Sequence, residues 1–203
     1  MRLEARFVTS AAALSDCPRW NIPEIAFTGR SNAGKSSLIN ALTGIKGLAR
    51  ISKTPGRTRL LNFFAVGDDL ALVDLPGYGY ARMPQAEAGK IAAMTRDYLE
   101  RRNNLIALVM VIDARRRPER EEFALAEAIL SRGCKLLVAA AKSDKLKRSE
   151  RRQALERFAP LSGEAILCSA VNGDGLDEIR RRLLQWSREN KPKPGLAPET
   201  TES

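Results

Sequence analysis

A glycine-punctuated loop, set between a short apolar run and a helix-like segment, constrains this 203-residue chain more than any other feature. Residues 29–36 read GRSNAGKS: Gly29, four residues, then Gly34, Lys35 and Ser36. At that spacing the backbone N–H groups across Gly29, Arg30, Ser31, Asn32, Ala33 and Gly34 can wrap phosphate oxygens. Lys35 then reaches the terminal phosphates, and the Ser36 hydroxyl is placed to ligate magnesium. The flanks suit that role. PEIAFTG (23–29) is an apolar run of buried-strand length, and KSSLINALTG (35–44) carries apolar residues at 38, 39, 41 and 42 and ends on glycine, as a helix does.

The loop opens a longer alternation. IKGLARISKTPGRTR (45–59) is basic, rich in Gly and Pro, and without apolar period, so it reads as a mobile loop. LLNFFAVG (60–67) and LALVDLPG (70–77) are apolar runs joined at Gly67-Asp68, a hairpin turn between antiparallel neighbours. A helical pattern over 86–102, a strand over 105–114, a helix near 119–132 and a strand over 135–142 follow. A helix near 149–158, a strand over 164–170 and a helix over 174–186 complete the series. Strand and helix alternating in this way predict an α/β fold with a mostly parallel sheet covered on both faces. Ligands in such folds sit at the carboxyl ends of the strands. One domain over 23–189 is expected, preceded by an extension (1–22) that packs on it and followed by a Pro-rich, polar, disordered tail (190–203).

Two further segments fall at strand ends. DLPG (74–77) comes about 40 residues after Lys35, where the Asp74 carboxylate can take magnesium through water and Gly77, after Leu75 and Pro76, can present its N–H to a γ-phosphate. AKSDKL (141–146) places Lys142 and Asp144, flanking Ser143, as a base-reading pair. A carboxylate accepts the N1–H and the 2-amino group of guanine together while a lysine stem packs on the purine plane. Adenine offers no such donor pair, so GTP is preferred over ATP.

Composition narrows the chemistry and the partners. The chain has no histidine, so histidine acid/base catalysis and histidine metal ligation are excluded. Lysine and arginine exceed aspartate and glutamate by 34 to 24, a net charge of +10 that favours an acidic partner such as RNA or an anionic membrane surface. Three widely spaced cysteines without a CxxC predict reduced thiols. With no signal-peptide-like or membrane-spanning apolar run, a cytoplasmic protein without membrane insertion is expected. No exposed apolar heptad stripe is visible, and a monomer is expected.

GRSNAGKSSLINALTG, KTPGRTRLLNFF, DLPGYGYA, AKSDKL and CSA (168–170), in this order and spacing over roughly residues 5–188, resemble the bacterial EngB (YihA/YsxC) family of GTPases. The resemblance implies a Ras-like domain with a six-stranded, mostly parallel sheet and one antiparallel edge strand. It implies that Gly29 to Ser36 bind phosphates and that Gly56, Arg57, Thr58, Arg59 and Leu60 form a second nucleotide-contacting loop. Thr58 would join Ser36 and Asp74 at magnesium. Asp74 and Gly77 would sense the γ-phosphate, Lys142 and Asp144 would read guanine, and Cys168, Ser169 and Ala170 would support the base. Lys35, Thr58, Gly77 and Asn32 would carry catalysis, Asn32 by holding a potassium ion in place of an arginine finger. The family's association with large ribosomal subunit assembly and with cell division and septation implies rRNA and ribosomal proteins as partners.

Two positions depart from the pattern. Ala141 stands where Asn or Thr opens the base motif, and it has no polar side chain to tie that loop to the phosphate loop. Tyr78 follows Gly77 where Ras-type proteins orient water with glutamine, which predicts slow intrinsic hydrolysis. The cations of 45–59 (Lys46, Arg50, Lys53, Arg57 and Arg59) form a basic surface suited to rRNA phosphates. The runs Arg115 to Arg117 and Arg180 to Arg182 read as solvated faces. A nucleotide-sensing interaction protein of the division machinery is the competing reading. A P-loop small-molecule kinase is disfavoured, since no arginine-rich lid or acceptor site is evident.

Overall fold

A computed structural model describes residues 3–49, 60–78, 84–162 and 164–190. Gly56, Arg57, Thr58 and Arg59, the cations Arg50 and Lys53, and the tail from 191 lie outside the described residues. Seven strands form one sheet: β1 (Ala5–Ala11), β2 (Glu24–Gly29), β3 (Leu61–Val66), β4 (Leu70–Asp74), β5 (Leu105–Asp113), β6 (Lys135–Ala141) and β7 (Ala165–Leu167). Their order is β1-β3-β4-β2-β5-β6-β7. Five helices accompany them: α1 (Lys35–Thr43), α2 (Gln85–Arg101), α3 (Arg120–Ser131), α4 (Arg151–Ser162) and α5 (Leu176–Glu189).

The α/β class and the mostly parallel sheet follow the sequence pattern. The strand count does not. Residues 5–11 pair antiparallel with β3, from Ala5 opposite Val66 to Ala11 opposite Leu61, so there are seven strands and the reversed strand β3 lies inside the edge. The physical reason is the edge position. Most of ARFVTSA is exposed or half-buried, so β1 lacks the continuous apolar run that marks strands covered on both faces. Helix α4 also runs to Ser162 rather than stopping near Phe158, with Pro160 in its last turn at the loss of one helical hydrogen bond, the one its missing N–H would give to the Glu156 carbonyl.

The central strands bury both faces, as their unbroken apolar runs require. Ile25, Phe27, Val109 and Val111 pack with Leu38 and Leu42 of α1 and Ile179 and Leu183 of α5. The alternate residues Ala26, Leu108 and Met110 pack with Tyr98 of α2, Ile129 of α3 and Phe158 of α4. One buried charge crosses this apolar pattern. Glu24 is fully buried at the start of β2 and accepts from Trp20 Nε1 (2.7 Å), Tyr98 Oη (2.8 Å) and the Arg102 guanidinium (2.6 to 3.1 Å). Its carboxylate oxygens are thereby satisfied, which is what permits a carboxylate in a core.

Two glycines shape the loop after β2. A side chain on Gly29 would bring a Cβ to 2.5 Å from the Val111 carbonyl oxygen of β5, so strand pairing at this point tolerates only hydrogen. Gly34 has φ +107°, a conformation open to glycine, and it turns the chain into the first residue of α1.

Candidate functional site

Parallel pairing delivers the predicted segments to one edge of the sheet. β2 lies between β4 and β5, and Phe27 is in register with Asp74, so the phosphate-type loop and the end of β4 emerge side by side. Lys35 Nζ donates to Asp74 Oδ1, and the two groups are 8% and 2% exposed. Ser36 follows Lys35 in the first turn of α1, whose leading N–H groups and dipole favour an anion. Leu60 stands just before β3, which runs opposite to its neighbours, so it too reaches this edge.

The segment after β4 runs along the loop as an extension of the sheet. Leu75 N donates to Phe27 O (3.0 Å), Tyr78 N to Gly29 O (3.3 Å), and Ser31 N to Tyr78 O (3.1 Å). Gly77 is therefore held between two anchored neighbours. Tyr78 reaches the other way, donating from Oη to Glu122 Oε1 at 3.0 Å. Burial and the Glu122 charge push its phenol well above the ordinary tyrosine range, so it stays a proton donor.

Glu122 was not singled out in the sequence. It is fully buried, and its second oxygen accepts the Glu119 N–H (2.8 Å) in a capping box at the start of α3. The readable signal was the pair Glu119 and Glu122 ahead of an apolar period; its partner Tyr78, 44 residues away, was not readable. Arg30 closes the circuit: its guanidinium bonds Glu119 Oε2 at 2.5 Å, so Arg30 contributes backbone to the loop and its charge goes to α3. Tyr78→Phe should cost about 1 to 3 kcal/mol by removing a donor from a buried carboxylate, read as a shift in the urea midpoint at unchanged slope.

The base-motif residues gather at the ends of β6 and β7. Lys142 takes the left-handed conformation (φ 61°), and its Nζ donates to the Asn32 carbonyl at 2.7 Å and lies 3.1 Å from Asp113 Oδ2. Ser143 N bonds Cys168 O at 3.0 Å. Ser169 Oγ donates to Asp144 Oδ1 at 2.6 Å and accepts the N–H groups of Val171 (3.1 Å) and Asn172 (3.4 Å). That hydroxyl, with Lys145 beside it, holds the Asp144 carboxyl below the usual carboxylate range. Ala170 is exposed next in the loop, and Cys168 is buried under it.

Ala141 leaves no missing tie. Lys142 supplies the bond between the base loop and the phosphate-type loop, and the Ala141 methyl sits 3.8 Å from where a Cβ on Gly34 would project. Asn32 is exposed with φ 65°, a region that Asn tolerates better than most residues.

A family model described as 50S ribosome-binding GTPase matches residues 24–142. A probable GTP-binding protein EngB of Pelotomaculum thermopropionicum is 43% identical over 187 residues, covering 90% of this chain and 94% of its own. The chain belongs to the EngB family of GTP-binding proteins. Another EngB relative, from Nitrosococcus oceani, is 44% identical over 189 residues, covering 90% of this chain and 94% of its own. A crystal structure of a probable EngB superposes with TM-score 0.67 at 24% identity, covering 82% of this chain and 99% of that one. The Era protein of Aquifex aeolicus bound to GDP and AlF4⁻ gives 0.66 at 22% identity, covering 82% of this chain and 57% of that one. These structures share the fold of the EngB chain described here, a P-loop GTPase α/β domain.

Proposed function

We propose that this EngB-family GTPase is a slow molecular switch whose GTP form docks on the maturing large ribosomal subunit. The observation that carries the nucleotide part is the 2.7 Å bond from Lys142 Nζ to the Asn32 carbonyl, which ties the base-motif loop to the loop suited to phosphates. Gly29 to Ser36 bind the phosphates through backbone N–H groups. Lys35 neutralises their charge, Gly77 presents its N–H to the γ-phosphate, and Asp144 reads guanine while Ser169 and Ala170 border the base. Ser36 and Asp74 fit magnesium, being a hydroxyl and a carboxylate, a partial set that this ion completes with phosphate oxygens and water. Thr58 is assigned to the same ion. When bound, magnesium supplies charge neutralisation at the phosphates.

Tyr78 cannot present an amide to water, and its phenol is engaged by Glu122. Slow turnover follows, with outside help expected from a monovalent cation at Asn32 or from the ribosomal partner. If Asn32 holds that cation, GTP turnover should rise in KCl over NaCl, and Asn32→Ala should lose the difference. Equal rates in the two salts leave Asn32 only its loop-shaping role.

The ribosomal part draws support from the family description, 50S ribosome-binding GTPase, and from the basic composition. Among the described residues no helix is long and apolar enough to cross a membrane. Gradient sedimentation of cell extracts with GTP, GDP or no nucleotide tests it. GTP-dependent co-migration with large-subunit precursors is the expected result. Co-migration with division proteins in its place would favour the septation reading with incidental turnover.

A further inference from the structure

In each arginine run the fold pairs two side chains, Arg115 with Asp113 and Arg116 with Glu119 in one, and Arg180 with Asp177 and Arg182 with Glu164 in the other, so the runs differ in where they are carried. Arg180 donates to the Leu42 and Ala41 carbonyls (2.9 and 2.6 Å) at the end of α1, and Arg182 pairs with Glu164 at 2.6 Å. Arg180 and Arg182 are thus consumed by packing and ion pairing, and Arg181 between them is exposed. The run at 115–117 is carried to the carboxyl end of β5, directly beside the basic stretch that follows β6. Ala114 N bonds Ala141 O (2.8 Å), and the Arg157 guanidinium of α4 reaches the carbonyls of Arg115 (3.3 Å) and Ala114 (3.5 Å). Residues 115–120 and 142–157, distant in sequence, therefore make one surface. Together they hold 11 basic and 4 acidic side chains, and Asp113, Glu122 and Asp174 from outside them pair with their cations, which leaves a net +4.

Arg115, Arg116, Lys142, Lys145, Arg151 and Arg152 pair with carboxylates and Arg157 bonds carbonyls, which leaves four of the cations to carry the uncommitted charge. Arg117, Lys147 and Arg148 are exposed, and among the described residues none has a carboxylate partner. Among the described residues the large apolar side chains that are exposed (Phe7, Ile45, Leu60, Phe123, Leu130 and Val171) all lie outside these two stretches of sequence, with Phe123 and Val171 at their border. A membrane-binding surface needs apolar residues to enter the headgroup boundary as well as cations, whereas a polyphosphate backbone needs the cations alone. Arginine adds a planar fork that matches phosphate oxygens.

We infer that the part of this surface formed by residues 115–120 and 145–157, with Arg117, Arg120, Lys147 and Arg148 as its free cations among the described residues, binds the phosphate backbone of RNA, an assignment that rests on the ribosomal reading above. The face is built at the guanine-motif end of the sheet and uses neither the DLPG segment nor the loop before β3. It therefore supplies an attraction common to the GTP and GDP forms, and nucleotide-dependent contacts add to it. This differs from the placement at 45–59 expected from sequence, most of which lies outside the described residues.

The test compares wild type, the triple variant Arg117→Ala/Lys147→Ala/Arg148→Ala, and a control, Arg19→Ala/Arg101→Ala, that alters exposed cations at the amino ends of the parallel strands. Binding to a fluorescent RNA duplex of about 20 base pairs is titrated over roughly 50 to 200 mM salt, and binding to vesicles of phosphatidylglycerol and phosphatidylcholine is measured beside it. The triple variant should bind the duplex about tenfold or more weakly, with the log–log salt slope reduced by about 0.7 to 1 per lost cation, while the control changes little. GDP affinity should be unchanged in both variants, which reports an intact fold. Equal weakening by the control, unchanged duplex binding by the triple variant, or binding to the vesicles but not to the duplex each overturns the assignment. Large-subunit sedimentation separates the two readings. A wild type that binds duplex RNA through this face but does not co-sediment sinks only the ribosomal reading; a triple variant that co-sediments normally at every salt concentration sinks only the face.

Discussion

Asp144→Asn should lower GDP affinity by about a hundredfold to ten-thousandfold while raising affinity for xanthosine diphosphate. Guanine presents two donors, N1–H and the 2-amino group, and the Asp144 carboxylate presents two acceptors. An asparagine keeps one acceptor and turns an amide donor toward a base donor. Losing a charge-assisted hydrogen bond costs about 1.5 to 3 kcal/mol, and leaving a donor unpaired costs about 1 to 3 more, so a total near 3 to 6 kcal/mol is expected. Xanthine carries a carbonyl where guanine carries the amino group, so the new amide donor meets an acceptor. Ser169 Oγ, 2.6 Å from Asp144 Oδ1, fixes which way the carboxylate faces, and Ser169→Ala should weaken GDP by a smaller factor. Titration with fluorescent GDP, xanthosine diphosphate and ADP measures all of this. An Asp144→Asn protein with wild-type GDP affinity and no gain for xanthine would remove Asp144 from the base site.

The pH dependence has a definite sign. The Asp144 carboxyl is held below its ordinary range, chiefly by the Ser169 hydroxyl. A depressed value keeps the acceptor ionised until pH falls through it, so guanine affinity should be flat between about pH 8 and pH 5. A decline across that interval would mean a different group controls binding.

Lys35→Ala is expected to damage the fold and the site at once, and the two effects can be separated. Lys35 and Asp74 are 8% and 2% exposed, and removing the ammonium leaves a buried carboxylate without its counter-charge. Breaking such a pair costs about 3 to 5 kcal/mol, which for a chain of this size lowers Tm by roughly 10 °C. Asp74→Asn combined with Lys35→Ala should recover much of the stability, because a neutral amide is far cheaper to bury alone. Nucleotide binding should stay lost in the double variant, since the phosphates have no lysine. Thermal melts with and without Mg-GDP read both: ligand raises the wild-type Tm and leaves both variants unmoved. A single variant as stable as wild type would show that the buried pair contributes little. A double variant that Mg-GDP still stabilises would show that Lys35 is not needed for phosphate.

Most of the fold was legible because its signals are local. Apolar runs such as LIALVMVID announce strands covered on both faces, and Gly44 after KSSLINALT announces the end of a helix, where it takes φ +72°. β1 escaped because an edge strand needs few apolar residues, and its pairing with β3 is a contact between residues 50 or more apart. In the site, the Gly-Lys-Ser spacing and the turn residues of DLPG and AKSDKL are written in short stretches and could be placed at strand ends directly.

What the sequence determined, then, is the set of backbone shapes and charged groups: a loop that only glycines at 29 and 34 allow, a lysine and a serine at the head of a helix, and a carboxylate at the end of each of two strands. Each follows from steric limits and periodicity within a few residues. Tertiary structure alone decided which of these groups meet. Parallel register put Asp74 beside Lys35, and the turn at Lys142 carried its ammonium to the Asn32 carbonyl, supplying the tie that Ala141 lacks. It sent Tyr78 to Glu122, spent Arg180 on helix carbonyls, and brought the segments that follow β5 and β6 out at neighbouring strand ends. Such pairings depend on chain crossings over tens of residues, where the free energy of burying and satisfying charges is settled by the whole fold and not by any one segment.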